Sequence, residues 1–185
     1  MNLRRTTLAA FATTTALALG VVGLTAVTPP ATAKPRHDPT TRTLQHNAQD
    51  TWRSMDAMTD RSTGLPADNI DGSLDRSTRS AFTSPTNIGA YLWSTVVARD
   101  TGLVSQADAH RRMTRTLDTL KTLDRHGPSG MFYNWYDPHT GAKLRIWPEN
   151  GNVVKPFLSS VDNGWLATAL LLVSRADKRL APAAL

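Results

Sequence analysis

Cysteine is absent from the 185-residue chain. That excludes a disulfide scaffold, a Cys-ligated zinc site and a thiol nucleophile. Aromatic residues make up only 6% of the chain and charged residues 19%, with no dense Lys/Arg block, so nucleic acid is not expected as a partner. The net charge of +6 and the pI near 10.2 describe a solvated basic surface, and Arg4 and Arg5 supply two of the positive charges. Metal chemistry has no visible footing either. The five histidines show no ligand spacing on one face, and Asp68, Asp71 and Asp75 do not follow the alternating ligands of a calcium loop. No Ser/His/Asp arrangement is legible, and neither a metal nor a cofactor is expected.

The amino-terminal stretch, 1–33, reads as a secretory signal peptide. Arg4 and Arg5 form a charged start, Leu8 to Val27 is apolar, and Ala31-Thr32-Ala33 is a small-x-small cleavage site before Lys34. The paired arginines fit either the general secretory or the twin-arginine route. A secreted, extracellular chain follows, with no stable membrane insertion after cleavage. A Pro- and charge-rich linker is expected over 34–42, and one domain over 43–185.

Four helices are expected in that domain. The first spans Thr43 to Met58, with Leu44, Ala48, Trp52, Met55 and Met58 at helical spacing. The second starts with Ser84 as cap and Pro85 at the first helical position, and stops at Gly102. The third starts at Ser105, with Asp108 in a capping-box-like position, and runs to His126. The fourth spans Val161 to Ala176. Between Trp165 and Val173 only Thr168 is polar, which predicts a helix buried on all sides but too short to cross a membrane. Alternation of amphipathic and buried helices suits an outer layer and an inner one. In the long connection before the fourth helix, five of the twelve aromatics fall between Phe132 and Trp147. Its first half, Met131 to Leu144, is expected to form a small β-hairpin around Asp137-Pro138-His139-Thr140-Gly141.

Two segments could carry chemistry. Asn134-Trp135-Tyr136-Asp137 offers rings for the apolar faces of a sugar and side chains for its hydroxyls. The same residues could simply alternate to pack the hairpin. Ser159 to Trp165 opens the fourth helix and places Asp162 at its dipole-positive end, where a carboxylate stays ionised. Asp162 or Ser160 could equally be no more than the cap.

The strings Leu65-Pro66-Ala67-Asp68-Asn69, Thr83-Ser84-Pro85-Thr86-Asn87-Ile88-Gly89, Asn134-Trp135-Tyr136-Asp137 and Ser159-Ser160-Val161-Asp162 occur in that order. Together they resemble the glucoamylase-like domain of cyclic β-1,2-glucan synthases and, more distantly, β-1,2-glucan hydrolases. The resemblance implies an all-α fold, a partial (α/α)6 toroid of about four helices, with a carbohydrate cleft at one end. It implies Asp162 as a catalytic acid position. Asn87, Asn134, Trp135, Tyr136, Asn163 and Trp165 become candidates for contact with a β-glucan oligosaccharide or polysaccharide. A full toroid needs several hundred residues and glycoside cleavage needs two carboxyl groups. The expectation is therefore an N-terminal, truncated part of a glycoside hydrolase, inactive alone. The alternative is a non-catalytic carbohydrate-binding or scaffold remnant.

Overall fold

The computed structural model describes residues 38–185. The expected signal peptide and the first part of the linker lie outside the described residues. Five helices follow: α1 (Pro39–Met58), α2 (Pro85–Asp100), α3 (Gln106–Thr122), α4 (Ser160–Ala176) and a single C-terminal turn, α5 (Ala181–Ala184). α1 begins at Pro39, inside the stretch read as linker, because proline suits a first helical turn whose N–H has no partner.

Local capping chemistry sets most of the other boundaries. Ser84 Oγ accepts from the Asn87 N–H, and Ser105 Oγ from the Asp108 N–H. After α2 the chain turns through Gly102 at φ +75°, where the N–H of Gly102 and of Leu103 close back on the carbonyls of Arg99 and Ala98. α3 ends four residues earlier than its spacing predicts, since Leu123 turns extended and buries its side chain.

The helices form two layers, in which α2 packs against α4, α1 and α3. α2 and α4 run parallel, side by side. Thr86 meets Asp162 at their N-terminal ends, Gly89 faces Leu166 one turn on, and the Arg99 guanidinium reaches the Ala176 carbonyl at the far ends (2.9 Å). α1 lies outside α2, with Trp52 stacked on Tyr91 (6.3 Å) and Asp56 paired to Arg112 of α3 (2.6 Å). α3 runs opposite to α4. His110 near its start meets Asp177 just past the end of α4 (2.7 Å), and Thr116 donates to the Gly64 carbonyl (2.8 Å). Between the layers Ile88 and Leu92 bury against Met113 and Leu117. Each such side chain contributes about 1.5–3 kcal/mol.

The fourth helix is not buried on all sides. α4 has α2 on one flank only, so Val161 (67% exposed), Trp165 (52%) and Leu171 (48%) face outward. The expected hairpin over Met131 to Leu144 does not form either; that stretch has bridges but no regular strand. Its backbone partners change every few residues: Phe132 pairs with Arg125, while Tyr136 pairs with both Thr83 and Lys143. A two-stranded ladder cannot propagate from single, switching pairs.

A recurring turn takes the hairpin's place. Bridges close the loops Thr59↔Pro66, Arg125↔Phe132, Tyr136↔Lys143 and Ile146↔Val153. In each, the sixth residue is a glycine with φ between +70° and +73°: Gly64, Gly130, Gly141 and Gly151. That glycine donates to the carbonyl four residues before it, a geometry a side chain rarely adopts.

Two of these turns are tied together. Thr63 Oγ1 donates to the Pro138 carbonyl (2.5 Å), and His139 Nδ1 lies 3.0 Å from Asp60 Oδ2. Burial pushes the Asp60 carboxyl up, but the Ser62 hydroxyl, the His139 ring and the N–H groups of Ser62 and Thr63 together hold it down at about 2. The bond to Asp60 raises the pKa of His139. A lowered acid adds stability above its unfolded value of 3.8, lost as pH falls through the folded value. A raised histidine adds stability below its unfolded value of 6.5, lost as pH rises through its higher folded value. Melting temperature should therefore peak between about pH 4 and 6.5. In His139→Gln the alkaline side of that peak should flatten.

Candidate active site at the N-terminal ends of α2 and α4

The first turn of α4 is capped by Ser159, whose Oγ accepts from the Asp162 N–H (3.1 Å). Neither Asp162 nor Ser160 is the cap. The Asp162 carboxylate is thus left free to reach sideways, where Oδ1 accepts from Thr86 Oγ1 of α2 at 2.5 Å. It sits half-buried at the N-terminal ends of two parallel helices. One residue along α2, Asn87 donates through Nδ2 to Asp68 Oδ1 (2.8 Å), and Asp68 is exposed. The first turn of α2 therefore holds one carboxylate on Thr86 and a second on Asn87.

The remaining expected site residues divide. Asn163 clamps the backbone of Phe132: its Oδ1 accepts from the Phe132 N–H (2.9 Å) while Nδ2 donates to the Phe132 and Ser159 carbonyls (3.0 and 2.9 Å). With its amide committed, Asn163 is a structural residue. Tyr136 is fully buried, donating to the Asp124 carbonyl (2.6 Å) and accepting from the Tyr133 N–H (2.8 Å). Burial pushes its phenol up to about 12, and it too is structural. Asn134 is buried, and its Oδ1 meets no donor among the described residues. Trp135 is half-buried, edge-on to Phe82 (5.5 Å) and Trp147 (5.3 Å). Its ring serves a three-ring cluster rather than an open surface. Replacing Asn163 with Ala should lower stability by about 1–3 kcal/mol, because the Phe132 backbone groups lose their partner. Thermal melting checks this.

Trp165, in contrast to Trp135, is exposed. It borders a groove of about 370 Å³ with Trp93, Thr86, Gly89, Ala90 and Ser94. The groove runs along the side of α2 and α4 opposite the buried Ile88 and Leu92, and one wall begins at Thr86, the partner of Asp162. Sequence reasoning missed Thr86, Asp68 and Trp93 as members of the site. The signal for Thr86 and Trp93 was their spacing, since both share a helix face with Gly89. Chemically the arrangement offers a carboxyl acceptor, a hydroxyl and an amide beside two indoles, groups of the kind a sugar ring contacts.

The profile of a family described as protein of unknown function DUF3131 matches residues 46–181. The chain belongs to that family. Among curated proteins, it is 33% identical over 128 residues to a cyclic β-(1,2)-glucan synthase, NdvB, from Rhizobium meliloti, covering 69% of this chain and 4% of that protein. Among solved structures, a Bacteroides fragilis protein assigned as a glucoamylase superposes with a TM-score of 0.64 at 17% identity, over 85% of this chain and 37% of the other. An endo-β-1,2-glucanase from Chitinophaga pinensis, in complex with sophorotriose and glucose, superposes at 0.54 with 14% identity, over 77% of this chain and 34% of its own. The chain spans about a third of the solved proteins it resembles. Its fold is that of a glucoamylase-like (α/α) toroid, of which these helices form an arc.

Proposed function

We propose that this DUF3131 chain is exported and contacts a β-1,2-linked glucan at the N-terminal ends of α2 and α4, as part of a glycoside hydrolase-like site. The observation that carries the reading is the Thr86–Asp162 bond, which joins an acid on one parallel helix to the first turn of the other beside an indole-lined groove. The resemblance to a β-1,2-glucan synthase and to a β-1,2-glucanase fold supports the choice of linkage. Asp162 accepts from sugar hydroxyls or activates water, Asp68 stands as the second carboxyl, and Trp165 and Trp93 take the apolar faces of the sugar rings. Hydrolysis requires two carboxyl groups set on opposite sides of the scissile bond. Contact with the glucan is the activity that these residues are assigned.

Calorimetric titration with β-1,2-glucooligosaccharides tests the reading, with β-1,4-linked oligomers of equal length as control. Saturable binding of the β-1,2 series alone supports it, and equal or absent binding of both overturns it. Export is checked separately: intact-mass analysis of culture fluid should show a chain beginning at Lys34, and the uncleaved chain retained in cells would refute it.

A further inference from the structure

A second cavity, of about 130 Å³, lies between the end of α1, the turn after it, α2 and the start of α3. Charged side chains dominate its lining, and its acids are already engaged. Asp56 accepts from Arg112 at one carboxyl oxygen (2.6 Å) and from Arg76 at the other (3.0 Å). Asp108 accepts from Arg111 (2.9 Å) and Arg112 (2.8 Å). Asp60 accepts from the Ser62 hydroxyl at one oxygen (2.5 Å), and its other oxygen lies against the His139 ring (3.0 Å). The donors are not all engaged. Arg61 and Arg115 line the cavity and are exposed, and neither guanidinium meets an acceptor among the described residues. Arg111 spends one of its five N–H groups on Asp108. Tyr91, also in the lining, is 1% exposed and stacked on Trp52. Its oxygen accepts from Arg112 (3.4 Å), but its O–H proton has no acceptor among the described residues. A buried donor left without a partner costs free energy.

We propose that this cavity binds a tetrahedral oxyanion of the phosphate class, as a free ion or as a phosphomonoester. The groups with unused capacity are donors, and the acids are matched by cations and N–H or O–H groups, so the cavity is set for an anion. The donors stand on three walls: Arg61 on the turn, Arg111 and Arg115 four residues apart on one face of α3, and Tyr91 on α2. That spread matches the oxygens of a tetrahedral group better than the two coplanar oxygens of a carboxylate, and arginine forks suit phosphate. The frame is fixed before any ligand arrives. The turn carrying Arg61 is pressed onto α3, where a Cβ on Gly64 would stand 2.8 Å from Thr116 Oγ1 and 3.3 Å from Arg115 Cγ. Thr116 donates to the Gly64 carbonyl (2.8 Å) and Thr119 to the Thr63 carbonyl (2.6 Å). Donors held in place lower the ordering cost of binding. The site lies on the α1 side of α2 and does not rest on the glucan reading.

Calorimetric titration of the protein with inorganic phosphate at low ionic strength tests this, with glycerol phosphate and acetate as parallel arms. The expected result is saturable binding of phosphate, one per chain, with acetate bound more weakly. Tighter binding of glycerol phosphate assigns the site to a phosphomonoester, and tighter binding of the inorganic ion assigns it to free phosphate. Arg61→Gln and, separately, Arg115→Gln should each weaken binding about tenfold, the loss expected of one charge-assisted bond. Tyr91→Phe keeps the ring on Trp52 and should weaken it about threefold. Lys155→Gln removes the same charge from an exposed loop and should leave binding unchanged. Both arginines are exposed, so the circular dichroism of their variants should keep the helical content of the parent. Phosphate should also raise the melting temperature of the parent, and raise it less in the arginine variants. Absence of saturable binding overturns the proposal, as does acetate bound as tightly as phosphate, or a loss in Lys155→Gln equal to that in the arginine variants.

Discussion

Asp162→Asn is expected to weaken binding of β-1,2-glucooligosaccharides about 10- to 100-fold. A hydrogen bond to a charged group contributes about 1.5–3 kcal/mol, and each 1.4 kcal/mol is a factor of ten. The substitution preserves shape, and the Thr86 hydroxyl can still donate to the remaining carbonyl oxygen, so folding stability should change by less than about 1 kcal/mol. This separates two roles of a carboxylate at a helix N-terminus. If Asp162 served α4 alone, its neutral amide would lower the melting temperature and leave binding intact. Ser159 already satisfies that first turn, which is why the larger effect should fall on the ligand. Calorimetry and thermal melting on the same preparation distinguish the two.

The second large effect belongs to Gly89. Gly89→Val should lower stability by about 2–3 kcal/mol, roughly 5–10 °C in melting temperature, because overpacking of a fixed contact costs about 1–3 kcal/mol. The new side chain would meet backbone atoms of Leu166 and Trp165, which cannot rotate away. The helices must separate, and the bond between Thr86 and Asp162 one turn earlier must lengthen with them. Glucan binding should therefore fall together with stability. Gly164→Ala is the matched control. Its surroundings among the described residues are open, so its melting temperature should hold or rise slightly, as expected when alanine replaces an exposed helical glycine.

Features fixed by a few neighbouring residues were legible in the sequence. Ser84, Ser105 and the glycine at 102 mark helix ends through bonds that span three to five residues, and the helices start or stop there. Asp162 was legible as a helix-end acid for the same reason. What it does with its carboxylate was not, because the answer lies on another helix 76 residues away. The aromatic residues show the same limit. Trp135 and Trp165 look equally available in the sequence, but Phe82 and Trp147 pack the first, and no inner helix among the described residues covers the second. The expected hairpin failed because aromatic richness fits a strand without supplying a partner, and Tyr136 found its partner in Thr83. One further pattern was in plain view: Asp60-x-x-Thr63-Gly64 recurs as Asp137-x-x-Thr140-Gly141. Both place a left-handed glycine after a threonine, and both fold into the same turn.

If the N-terminal ends of α2 and α4 form one carbohydrate-contacting site, a bound oligosaccharide should perturb both together. Backbone and indole chemical-shift mapping during titration with a β-1,2-glucooligosaccharide tests it most directly. The largest perturbations are expected on Thr86, Asn87, Asp162 and the Trp93 and Trp165 indoles, with Asp68 following, while Trp52 on the α1 side stays still. Perturbations confined to the loop around Trp135 and Trp147, or none at saturating oligosaccharide, would contradict it.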